Sequence, residues 1–108
     1  MKTFEDLKWE DLRPTPEEAD AGFGLCGERA EQCGVEMEVR ARRLWHGASH
    51  VTHIVWKVLA ANPFFGKYMK ITGEIRLSSA LSFDVAYEEG KQLAIKFGEL
   101  WIGMTSKD

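Results

Sequence analysis

The sequence predicts an α+β domain: an antiparallel sheet of about four strands with two helices packed on one face, in the order α-β-α-β-β-β. Three observations lead there. A threonine-proline helix start stands near residue 16, residues from Val35 alternate apolar and charged with a period of two, and the same alternation returns beyond Lys67. At 108 residues the chain reads as a single domain, 1–108, with residues 1–14 as an N-terminal arm.

The arm repeats an aromatic-Glu-Asp-Leu unit at Phe4 and Trp9. Thr15, Pro16 and Glu18 then form a capping box, and Ala19, Phe23, Cys26, Ala30 and Cys33 recur at spacings of three and four, so a helix is expected over 16–33 with Gly34 as its left-handed stop. Glycines 22, 24 and 27 share the GxGxxG spacing of dinucleotide sites. They follow no apolar strand and open no longer helix, so that reading is rejected.

Val35, Met37, Val39 and Ala41 alternate with Glu36, Glu38, Arg40 and Arg42, the pattern of a half-exposed strand. Ser49 offers a cap and Val51, Ile54, Val55, Val58 and Leu59 fit one helical face up to Asn62 and Pro63, which predicts a helix over 49–62. Met69, Ile71, Ile75 and Leu77 against Lys70, Thr72, Glu74 and Arg76 predict a second strand. For the remainder a hairpin is expected, in which Gly90 sets Tyr87 opposite Lys91, Val85 opposite Leu93 and Phe83 opposite Ile95. A helix over 82–104 also accommodates Leu93, Phe97, Leu100, Trp101 and Met104, but it places Ile95 and Ile102 on the polar side. In the hairpin reading 97–104 is a terminal strand, apolar on both faces at Leu100, Trp101 and Ile102, and suits a homodimer seam. A curved sheet wrapping helix 49–62 resembles the cone of cystatin-like or hot-dog architectures. That is a likeness of element order alone, and it implies a scaffold shared by binders and enzymes.

The net charge of -3 argues against nucleic acid as the main partner. The charge is unevenly spread: residues 1–36 carry ten acids and four bases, and residues 37–76 carry two acids and seven bases. An acidic N-terminal segment over a basic middle is therefore expected. No run reaches the roughly 18 apolar residues of a membrane span, and the first residues lack the basic start of a secretory signal, so the expectation is a cytoplasmic protein with no membrane association. Cys26 and Cys33 are expected reduced and buried, because on one helix they would stand ~10.5 Å apart.

His46, His50 and His53 fall at helical spacings of four and three, which suits a metal or a general base. Because Gly47 and the Ser49 cap separate His46 from the helix, His50 and His53 are the stronger pair, with Asp84 or Glu99 as the carboxylate that would orient a catalytic ring. The run Arg40 to Arg43 suits phosphate, or more simply cross-strand acids such as Glu36 and Glu74. Four tryptophans are the least ordinary feature of the composition. Trp45, Trp56, Phe64, Phe65 and Tyr68 are expected to line an apolar cleft for a small molecule or, equally, to form a protein interface. The sequence thus points to a small binding or interaction protein, homodimeric and with no cofactor, and the competing reading is a small enzyme with His50 or His53 as base.

Overall fold

The computed structural model describes residues 4–24, 26–47, 49–61 and 68–105. Their class is α+β: a five-stranded antiparallel sheet crossed by one long helix. In chain order they are β1 (Glu10–Asp11), α1 (Pro16–Glu18), a π-helical turn (Ala19–Phe23), β2 (Cys26–Gln32), β3 (Val35–His46), β4 (Ser49–Ala61), β5 (Tyr68–Arg76) and α2 (Phe83–Thr105). The strands neighbour one another in sequence order, so the sheet is a meander in which β1 and β5 are the edges.

Three expected elements change type. The capping box forms as expected, with the Glu18 N–H donating to Thr15 Oγ1 (3.2 Å) and the Thr15 N–H donating to Glu18 Oε1 (2.9 Å). The helix it opens nevertheless ends within a few residues, because Gly22 takes φ 98° and presses its bare Cα on the Arg43 carbonyl. A side chain there would collide with backbone. The chain then enters β2, joined to β3 by a two-residue turn whose Cys33 (φ 55°) and Gly34 (φ 75°) both adopt the left-handed conformation of a type I′ hairpin. Gly34 is thus left-handed as expected, but in a hairpin. Cys33 is exposed rather than buried, and Cys26 is half-buried.

Residues 49–61 form a strand instead of a helix. Val51, Thr52, Ile54, Val55 and Val58 are β-branched, and Ile54, Trp56, Val58 and Ala60 alternate onto the buried face. Its other face also carries apolar residues, Val51, Val55 and Leu59, interleaved with His53 and Lys57. Residues 82–104 form α2 instead of a hairpin and a terminal strand. The Ser82 hydroxyl accepts from the Val85 N–H (3.4 Å) and Asp84 stands in the first turn, where the helix dipole favours an acid. The buried stripe is Ala86, Gly90, Ala94, Gly98 and Ile102, one residue per turn. Small side chains let α2 lie close on the sheet, and Ile102 is therefore buried rather than on the polar side.

The core lies between α2 and one face of the sheet, where Ala30, Val35, Met37, Val39, Ala41, Ile54, Val58 and Ala60 are all but inaccessible. Trp56 stacks on Phe97 with ring centroids 5.2 Å apart. The N-terminal arm seals this layer: Phe4, Leu7 and Trp9 pack on it, and the Leu12 N–H donates to the Gly27 carbonyl (2.9 Å). The expectation of two helices on one face is corrected, since Glu18 and Phe23 reach the opposite face, beside Arg40. No helix among the described residues is long and apolar enough to cross a membrane.

Candidate functional site

The face turned away from α2 is polar. The period of two that buries Met37 and Val39 sends Glu36, Glu38, Arg40 and Arg42 there, and the register adds His53, Val55 and Lys57 from β4 and Lys70, Thr72, Glu74 and Arg76 from β5. Arg40 pairs with Glu18 and approaches Glu38 (3.6 Å), which also binds Lys57 (3.1 Å). Arg29 bridges Glu31 (3.1 Å) and Glu36 (3.3 Å). Within the basic run Arg40 thus has carboxylate partners, though they are Glu18 and Glu38 rather than the expected Glu36 and Glu74. The acidic N-terminal segment meets the basic middle at Glu18 and Arg40. The Thr15 N–H and then the Arg40 guanidinium hold the Glu18 carboxyl below its usual range. Phe23 lies under two guanidinium groups, 5.6 Å from Arg40 and 5.0 Å from Arg42.

The expected histidine alignment does not form, because residues three apart on a strand point to opposite faces. His50 pairs with Trp45, and His53 lies between Arg42 and Arg76. The Nδ1 of His53 is buried without a hydrogen-bond partner. Among the described residues no group of three or more His, Cys, Asp or Glu side chains could hold a metal. Asp84 and Glu99 lie on α2, and no hydrogen bond or ion pair joins either to His50 or His53 among the described residues. The side chains of His46 and Tyr68, and all of Phe64 and Phe65, lie outside the described residues.

The expected aromatics divide. Trp56 belongs to the core, Trp101 is half-buried against it, Ile102 is buried, and Leu100 is partly exposed on the outer side of α2. Trp45 differs from all of these. It is 68 % exposed near the end of the long β3–β4 hairpin, where its indole contacts the His50 ring with centroids 3.6 Å apart. These two line a hollow of about 300 Å³ with Ala19, Asp20, Gly22, Gly24 and Arg43. Gly22 and Gly24 present backbone there, and Arg42 Nε donates to the Ala21 carbonyl (3.1 Å), fixing the turn to β3. Sequence reasoning found Trp45 and His50, and Arg43 as part of the basic run, but missed Asp20. The GxG pair was the available signal, as glycines that bare the backbone at a turn.

A second polar cluster lies between β2 and α2. The Tyr87 hydroxyl donates to Glu28 (2.9 Å), Lys91 pairs with the same carboxylate (3.0 Å), and the Lys91 ammonium stands 5.1 Å from the Trp9 ring. Burial, and then donation to Glu28, push the Tyr87 phenol far above its usual range. Every member is satisfied within the chain, so this cluster ties α2 to the sheet. Compared with protein-family models, curated proteins and solved structures, the chain matches none.

Proposed function

We propose that the protein is a small binding protein, working as a homodimer, whose ligand stacks on Trp45 in the hollow between the π-helical turn and the β3–β4 hairpin. The observation that carries this is Trp45, a large aromatic left in solvent beside exposed backbone and two charged side chains. Exposing an indole forgoes roughly 2–3 kcal/mol of burial, and a stacked partner recovers it. The hollow suits a flat molecule with an apolar face for the indole and a polar edge for Asp20, Arg43 and the glycine backbone. A thermal-shift screen of planar aromatic and heteroaromatic compounds tests the reading, since a ligand of the native state raises the melting temperature. The expected result is a set of compounds whose shifts disappear in Trp45→Ala. Shifts of equal size in Trp45→Ala, or none in the wild type, refute it.

The competing reading is a small enzyme with His50 as general base, and the observation favouring it is that His50 and Asp20 line the same hollow. Turnover of a bound compound that is lost in His50→Gln while affinity persists selects the enzyme. Unchanged compound in the wild type selects the binder.

A further inference from the structure

We infer that two copies of the chain join edge to edge along β5, in antiparallel register centred on Thr72, to make one continuous ten-stranded sheet. The inference rests on the homodimer reading and supplies its seam. The seam expected from sequence, a terminal strand over 97–104, is absent because those residues are helical.

β5 is a sheet edge, and among the described residues nothing pairs with its outer side. Its polarity is set by one bond. The Leu77 N–H donates to the Thr52 carbonyl (3.0 Å), which extends the β4–β5 register by one residue and marks the odd-numbered positions as those bonded to β4. Lys70, Thr72 and Glu74 therefore turn their N–H and C=O groups outward. An exposed edge of this length is a template for another strand unless something blunts it; β5 has neither proline nor a bulge, and its charges Lys70, Glu74 and Arg76 repel strands that do not complement them.

Charge selects the occupant and the register. With the two-fold axis on Thr72, Lys70 faces the partner's Glu74 and Glu74 faces the partner's Lys70, giving two ion pairs around a threonine pair. A two-fold axis on Lys70 or Glu74 would set like charges face to face. An axis on Gly73 sets Lys70 against the partner's Arg76, and one on Ile71 makes no ion pair. Within one subunit Lys70 lies beside Leu59 and Glu74 beside Val55, and neither charge has an ion-pair partner among the described residues. On the other face the half-buried Ile71 meets the partner's Gly73, whose missing side chain is covered by the Trp56 indole. Met69 likewise meets the partner's Ile75. The pairing closes roughly ten backbone hydrogen bonds and keeps both α2 helices on one side of the joined sheet.

Sedimentation velocity across ~1–200 μM tests this, with Lys70→Glu, Glu74→Lys and the double variant as probes and circular dichroism as the check on folding. Each single reversal is expected to weaken association about tenfold, and the double reversal to restore it to within about twofold. With Cys33 replaced by serine, Thr72→Cys is expected to cross-link on mild oxidation, because directly opposed hydrogen-bonded residues have Cα atoms about 5.5 Å apart. A chain monomeric throughout the range overturns the dimer and the seam together. A dimer indifferent to both single reversals and lacking the Thr72 cross-link overturns the seam alone.

Discussion

Gly73→Ala is expected to destabilise the protein, although replacing a strand glycine ordinarily gains up to ~1 kcal/mol from chain entropy. The added Cβ would lie 2.5 Å from Cε2 and 2.7 Å from Nε1 of Trp56, where ordinary contact begins near ~3.5 Å. That indole has little room to retreat: it is 7 % exposed and lies parallel to Phe97 within 8°. Forcing a methyl group into such packing costs ~2–3 kcal/mol, so the net loss is ~1–2 kcal/mol, or roughly 5–10 °C in melting temperature for a chain of this size. Urea unfolding followed by near-ultraviolet circular dichroism measures it. Using a Lys70→Glu background at low protein concentration reduces the contribution of self-association to the comparison. Trp56→Leu removes the ring, and in that background Gly73→Ala is expected to become neutral or stabilising. A Gly73→Ala protein as stable as the parent refutes the argument that the indole occupies the glycine's side-chain space.

The packing of α2 sets two further outcomes. Gly90→Ala places a Cβ 2.9 Å from Ile54 and 3.1 Å from Val39, both fixed in the core, and a net loss of about 1 kcal/mol is expected; Gly98→Ala meets the Phe4 ring at 2.9 Å and the buried Val35 at 3.3 Å, so its gain in helix propensity is expected to be offset and the variant to match the parent within about 0.5 kcal/mol in calorimetry. Because Tyr87 holds its proton more tightly folded than unfolded, its contribution is complete below the ordinary phenol value of ~10 and is lost as pH rises beyond it. Tyr87→Phe is expected to cost about 1 kcal/mol at neutral pH and to flatten the alkaline fall in stability, as read from urea midpoints between about pH 8 and pH 11.

β3 and β5 were legible because charged residues, with Thr72 in β5, mark every second position, and such marking fits only a strand with one wet face. β4 was not, since Val55 and Leu59 face away from the core yet are apolar, and together with Ile54 and Val58 they imitate a helical stripe. β-branching was the better guide there. α2 was misread because four of the five residues in its buried stripe are alanine or glycine, Ile102 being the fifth, while Leu93, Phe97 and Trp101 only flank the contact. A pattern search weighted to large apolar residues looks at the wrong meridian of such a helix. Trp45 and His50 were found as residue types, but their adjacency depends on the β3–β4 register.

The sheet's apolar side is roofed by an element that comes after all five strands in the chain. During synthesis from the amino terminus, Val39, Ile54 and Val58 must therefore wait in water until Phe83 and its successors have left the ribosome. Phe4, made before any of the strands, finds its seat on Gly98 only then. The arm and α2 lock each other, and shortening α2 leaves a nascent chain with a naked oily plate, a substrate for holdase chaperones and for aggregation.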